Sequence, residues 1–165
     1  MLKKTILVMG LAVTYGAAMA ESQNFDVSVT ATVPTDTFYV SANGWDASQI
    51  QTMGWNNLLD RINPLQRNLD MKSTVGGITA YLIGSPKLSS GTASLPLTVT
   101  VNNKSLMEGA ANPAEVMSAA AAAIGGVVPM VVSAETKERP EGGVYNGTVQ
   151  MMFESVPVDP PSASR

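Results

Sequence analysis

The chain has 165 residues, about the length of one domain, with 10 Lys and Arg residues against 13 Asp and Glu residues. It contains no cysteine and no histidine. This composition excludes disulfides, thiolate metal sites, thiol nucleophiles and mechanisms that use an imidazole base. The net charge of −3 argues against a nucleic-acid-binding protein, which needs a basic surface to neutralise phosphates.

Residues 1–20 have the three parts of an export signal. Lys3 and Lys4 form a basic start, residues 5–15 form a short apolar run, and a small–x–small pattern ends at Ala20. The apolar run is shorter than the roughly 20 residues of a membrane-spanning helix. We therefore expect cleavage between Ala20 and Glu21, and export of the mature chain.

The first segment after this signal, residues 25–33, alternates apolar and polar side chains without a break. Its apolar positions are Phe25, Val27, Val29, Ala31 and Val33. This period of two predicts a strand with one buried face, which Pro34 ends because proline cannot donate to a ladder. Two interpretations are open: an ordinary first strand of the domain, or a strand donated to another subunit.

Similar patterns predict six more strands, at residues 37–40, 68–75, 78–83, 95–101, 127–133 and 144–153. Turns are predicted at Asn43-Gly44, Gly76-Gly77 and Asn102-Asn103, and the glycine pair is typical of a hairpin. Pro129 falls inside one strand, which favours an edge position or a bulge there.

Two segments depart from the strand pattern. Asn112 as cap and Pro113 at the first helical position predict a helix that continues to Ala123 and ends at Gly125-Gly126. Residues 55–69 are ambiguous between a short helix and an irregular strand and loop. The sequence therefore predicts an all-β sandwich with one short helix, followed by a disordered, proline-rich tail at residues 156–165.

No catalytic, cofactor-binding or metal-binding residue is predicted. The available carboxylates lie in no motif and fit solvated surface positions; they include Asp60, Asp70, Glu108 and Glu115. Trp45 and Trp55 are interpreted as partly buried core, with a sugar-stacking platform as the alternative.

Four segments resemble the major pilins of class-five, or alpha, chaperone–usher fimbriae, which include the colonisation-factor-antigen, coli-surface-antigen and cable pilins. They are residues 27–33, 78–88, 95–106 and 143–149, the last with the family's Gly-x-Tyr-x-Gly-x-Val pattern. The absence of cysteine also fits this family. Residues 43–65 match poorly, and Pro34 stands where the family places an aspartate.

The resemblance implies an incomplete immunoglobulin-like sandwich that a donor strand from a neighbouring subunit completes. On this basis we assign residues 1–20 to the signal peptide, 21–34 to the donor strand, 35–155 to the pilin domain and 156–165 to the tail. The donor-strand interface is then the apolar face of residues 25–33. The implied function is a structural subunit of an adhesive surface fimbria, not an enzyme, that polymerises head-to-tail.

The implied partners are copies of the chain, a periplasmic chaperone, an outer-membrane usher and a tip adhesin, and no cofactor is expected. The implied route runs through the periplasm to the cell surface. A minor pilin remains an alternative. A second alternative is a soluble exported sandwich that completes its own fold and binds a ligand near Trp45 and Trp55.

Overall fold

The computed structural model describes residues 37–157 apart from residues 92 and 137, and these form 11 strands and one short helix. The elements are β1 Phe38–Asn43, β2 Trp55–Asn56, β3 Arg61–Ile62, β4 Leu65–Ser73, β5 Gly76–Leu82, β6 Lys87–Ser90, β7 Ala93–Val101, β8 Lys104–Ser105, β9 Ala114–Met117, α1 Ala119–Ile124, β10 Gly126–Ala134 and β11 Met151–Pro157. No helix of this described part has the length and hydropathy needed to cross a membrane. The predicted all-β class with one short helix is confirmed.

The strands form two main sheets and a small two-stranded one. The larger sheet has six strands in the order β1-β4-β10-β7-β6, with β8 paired to β7. The smaller sheet has the order β11-β5-β9, and β2 pairs with β3 alone. All ladders between these strands are antiparallel.

The apolar core lies between the inward faces of the two main sheets. Alternate residues of the central strands are buried, as period-two sequences require when one face meets a second layer. The fully buried side chains of this core include Met71 of β4, Ile78 of β5 and Val99 of β7. The inward faces of the central strands therefore supply most of the core.

The turn predicted at Gly76-Gly77 is wrong, because both glycines belong to β5. The chain passes from β4 to β5 through Thr74 and Val75, and these two strands belong to different sheets. A Cβ atom at Gly76 would lie 1.7 Å from the carbonyl oxygen of Val156 on β11. Glycine is thus needed for a close backbone approach between strands, and not for a turn.

The helix is shorter than predicted and begins later. Residues 114–117, expected in its first turns, form β9 and pair with β5. Ser118 takes the N-cap position, and the helix ends as predicted at Gly125, whose φ of 83° suits glycine. Val116 and Met117 are buried, so tertiary burial in the sheet outweighs the local Asn-Pro helix signal.

Pro129 lies in β10, which is a central strand between β4 and β7, so neither the edge position nor a bulge is found. Its carbonyl accepts a hydrogen bond from the N–H of Asn102, in the turn that follows β7. The nitrogen of Pro129 faces the same side, where the β7 ladder has ended. The missing donor therefore faces Asn102 in the turn, beyond the last pair of the β10–β7 ladder.

The remaining strand predictions differ mainly in their bounds. The strand expected at residues 144–153 begins only at Met151 and extends to Pro157, two residues into the segment assigned to the tail. The ambiguous residues 55–69 form short strands and a loop, and no helix. The turn at Asn102-Asn103 is confirmed, with positive φ values of 47° and 62°.

Candidate functional site

Strands β1 and β11 are the edge strands on one side of the sandwich. Ser73, which pairs with Phe38 of β1, bonds through its hydroxyl to the Ser155 hydroxyl of β11 at 2.6 Å. At the other side, the Asn102 amide bonds to the Val116 carbonyl and holds β9 near the end of β7. The smaller sheet therefore lies with β11 over the end of β4, next to the β1 edge.

The outer edges of both strands carry backbone groups that no described strand pairs with. The Thr37 carbonyl accepts a hydrogen bond from the Thr74 N–H and therefore points towards β4. Because the backbone groups of successive residues point to opposite sides of a strand, those of Val40 and Ala42 point away from β4. Gln150 accepts from the Ile83 N–H, so the backbone groups of Met151, Phe153 and Ser155 point away from β5.

The side chains of these same residues face the interior but are only partly buried. Val40, Met151 and Phe153 pack against the core, whereas their counterparts in the central strands, such as Met71, are completely buried. We call the surface formed by Val40, Ala42, Met151, Phe153 and Ser155 the β1–β11 groove. It combines apolar side chains with available main-chain donors and acceptors, which is what an added β-strand needs.

The groove has a defined length and direction. Seven residues of β11 extend for about 23 Å at the usual rise per residue of a strand. Phe38, at the start of β1, lies near Ser155, towards the end of β11, because both neighbour Ser73. β1 and β11 thus run in opposite directions along the groove, and a strand between them is parallel to one and antiparallel to the other.

The residues predicted for the donor-strand interface, Phe25, Val27, Val29, Ala31 and Val33, lie outside the described residues, as do Ala20 and Glu21 of the cleavage site. These predictions stay predictions. The resemblance implied a groove at an open sheet edge, but the residues that line it were not predicted, although those of β11 fall at alternate positions of the sequence MMFESV. Periodicity identifies a half-buried strand but not whether its neighbour in the sheet is present.

The two tryptophans occupy different environments. The Trp45 indole packs against the core and donates to the Asn68 carbonyl at 2.6 Å, so it is partly buried core as predicted. Trp55 lines a separate loop cavity that does not include Trp45. A shared platform of the two rings is therefore absent from the described structure.

The carboxylates do not form a constellation with evident chemistry. Asp60 makes an exposed ion pair with Arg139 at 3.1 Å, and Glu108 accepts a hydrogen bond from Ser85. Hydrogen bonds from Ser48 lower the pKa of Asp46, which is exposed in a turn. Within residues 37–157, leaving out 92 and 137, no three acidic side chains come together as a metal site would require.

An open sheet edge flanked by apolar side chains is the kind of surface to which an extended strand can add. Residues 23–154 match the family model described as "CS1 type fimbrial major subunit", which is most of the chain. The chain therefore belongs to this family and is a structural pilin subunit of a surface fimbria. This confirms the family resemblance noted in the sequence.

Solved structures similar to the chain include the CooA pilin subunit from enterotoxigenic Escherichia coli. The TM-score is 0.53 at 13% sequence identity, and the match covers 70% of this chain and 86% of that one. At this identity the likeness supports the shared fold alone. A search of curated protein sequences found no significant match.

Proposed function

We propose that this pilin polymerises by donor-strand complementation, with residues 25–33 of one subunit occupying the β1–β11 groove of the next. The observation that carries the proposal is the groove: two edge strands whose inward side chains are half-buried and whose outer backbone groups pair with no described strand. The arm offers the complementary pattern, with an apolar residue at every second position.

The expected energy of this contact suits a permanent assembly. Five apolar side chains at roughly 1.5–3 kcal/mol each give on the order of 10 kcal/mol of burial, as an upper bound. Main-chain hydrogen bonds along the groove add to this value. Donor and acceptor are different surfaces of one chain, so the contact is head-to-tail and builds an open filament.

An open groove also needs protection before assembly, because an unpaired sheet edge with apolar neighbours is an aggregation hazard. We therefore assign the chain a periplasmic chaperone that covers the groove, an outer-membrane usher that exchanges it for the next subunit, and a tip adhesin at the end of the fibre. The role of the chain in this scheme is structural and not enzymatic.

Removal and relocation of the arm test the proposal. A chain without residues 21–33 should fail to form fibres, and a chain that carries this segment after its last strand should be a stable monomer. Size-exclusion chromatography and electron microscopy measure both. Fibres from the truncated chain, or a clean monomer from the unaltered mature chain without a chaperone, would contradict donor exchange and favour a self-completed sandwich.

Point substitutions on β11 provide a matched test of the groove. Phe153→Asp places a carboxylate on the groove face, and Met152→Asp places the same group on the opposite, solvent face of the same strand. Because burial of an unpaired charge is costly, we expect the first to block assembly and the second to preserve it. Val29→Asp in the arm should act as the first does. Equal assembly of the two β11 variants would refute the groove.

A further inference from the structure

A second cavity lies away from the β1–β11 groove, between the loops that precede β3 and follow β10. Its volume is about 630 Å³, within the 300–1,000 Å³ typical of small-ligand sites. Its apolar walls include Met53, Ile62 and Leu88, and its aromatic residues are Trp55 and Tyr145. Pilin assembly as proposed above makes no use of this cavity.

The indole nitrogen of Trp55 is the least satisfied polar atom in this region. It is buried, and no described residue accepts a hydrogen bond from it. An indole N–H is a donor with no acceptor capacity, and a buried donor without a partner destabilises the state that contains it. An acceptor oxygen supplied by a ligand would remove this deficit, so the atom points to an oxygen-bearing ligand.

The Arg139 side chain covers Trp55. Its guanidinium lies 5.3 Å from the centre of the indole ring and is held there by the exposed ion pair with Asp60. Exposed ion pairs contribute little to stability and cation–π contacts at the surface are modest. A ligand can therefore displace Arg139 at low cost and reach the indole ring and its N–H.

The remaining polar groups around the cavity are mixed in character. The Glu141 carboxylate and the Asn146 amide also line it, and Glu141 forms no ion pair with any residue of the described part of the chain. Tyr145 donates its hydroxyl proton to the Glu141 carbonyl at 2.9 Å, which fixes the loop between them. Donors, acceptors and aromatic carbon surface occur together, without an excess of either charge.

We propose that this cavity binds a neutral saccharide. A sugar ring offers C–H groups for contact with Trp55 and Tyr145, and hydroxyls that can accept from the indole N–H and donate to Glu141. A purely apolar ligand would leave the indole N–H unpaired, and a charged ligand of either sign would meet a like charge, at Arg139 or at Glu141. The inference is independent of donor-strand exchange.

Saturation-transfer NMR on the full mature chain tests the site, with methyl glycosides of glucose, galactose and N-acetylglucosamine as probes. We expect transfer to the ring protons of at least one glycoside. Trp55→Ala should weaken binding at least ten-fold, and Trp55→Phe, which keeps an aromatic ring but removes the N–H, by about five-fold. Trp45→Phe is the matched control outside the cavity and should leave the affinity unchanged.

Three results would overturn the proposal: no transfer from any glycoside, unchanged transfer in the Trp55→Ala chain, or equal transfer from cyclohexanol, which has a similar ring with one hydroxyl. Thermal unfolding of each variant shows whether the chain remains folded. If Trp55→Ala fails to fold, Trp55→Phe together with Glu141→Gln decides the question, because the first removes the N–H donor, the second replaces a charged acceptor by a weaker neutral one, and both keep the cavity shape.

Discussion

Gly76 gives the sharpest test of how the smaller sheet is held at the groove. In Gly76→Ala the new methyl group would lie 1.7 Å from the Val156 carbonyl oxygen and 2.7 Å from its carbonyl carbon. Both are backbone atoms, so the end of β11 must move away from β5. That movement breaks the last pairs of the ladder, Val156↔Gly77 and Pro157↔Gly76. The Ser73–Ser155 hydrogen bond lies next to these pairs and stretches with them.

The expected loss follows from the contacts that separate. Two ladder hydrogen bonds and one hydroxyl bond at about 1 kcal/mol each give a decrease of about 3 kcal/mol in the free energy of unfolding. Gly126→Ala in β10 is the matched control, since its Cβ would meet no atom within 4 Å and its φ is not positive. There we expect a gain of about 0.5 kcal/mol, as a more restricted unfolded chain predicts.

Urea unfolding of the monomeric chain that carries residues 21–33 after its last strand, followed by tryptophan fluorescence and linear extrapolation, measures both variants. If Gly76→Ala and Gly126→Ala differ by less than about 1 kcal/mol, then β11 is not held against β5 as described, and the β1–β11 groove does not have the described geometry.

Three further outcomes are expected. Asn102→Ala should lower the free energy of unfolding by about 2 kcal/mol, because it removes the 2.7 Å hydrogen bond to a β9 carbonyl and places alanine at a φ of 47°. Asn102→Gly also loses the hydrogen bond but tolerates the positive φ, so it should cost less in the same urea assay. Partial burial, then the charge and hydrogen bond of Glu154, raise the pKa of Tyr81 above 10.0. The folded state thus holds this proton more tightly, so its contribution is complete below pH 10 and is lost as the pH rises through the raised pKa. The difference in melting temperature between wild type and Tyr81→Phe should therefore stay constant below pH 10 and shift above it, because only wild type loses this contribution. Gly147→Ala should release residues 144–150 from β6, because its Cβ would lie 2.1 Å from the Lys87 carbonyl oxygen. We expect faster proteolysis of this segment, with the free energy of global unfolding unchanged.

The strands that alternate cleanly in the sequence are also found in the structure. Residues 95–101 were predicted as a strand and lie within β7, where Leu97, Val99 and Val101 are buried in turn. The turn after it was predicted from Asn102-Asn103, because asparagine tolerates the left-handed region that such turns need. Local chemistry and tertiary structure agree at these positions, so sequence patterns suffice.

The failures occur where a distant contact decides the local structure. Nothing near Gly76 in sequence indicates that β11, some 80 residues later, passes against its backbone. The pair Asn112-Pro113 is a sound helix signal, but Val116 is drawn into the core as part of β9. Pro129 is tolerated in a central strand only because β7 ends opposite it. The residues that neighbour each of these positions in the sequence do not reveal the distant contact that decides its structure.

The groove illustrates the same limit for the candidate site. The sequence shows an alternating segment around Phe153 but not that its outer edge pairs with no described strand. The family resemblance supplied that expectation, and the geometry of β1 and β11 supports it. Trp55 and Tyr145 are 90 residues apart, so their shared cavity could not be predicted without the fold.

The hydroxyl bond between Ser73 and Ser155 has a mechanical consequence. Apolar layers can slide over each other with little change in contact energy, whereas a 2.6 Å bond between two oxygen atoms cannot lengthen by even 1 Å and survive. Ser73 is one ladder spacing from β1, and Ser155 is on β11 itself. This polar link fixes the separation of the two sheets beside the β1–β11 groove, and so limits the size of any side chain that could enter the groove.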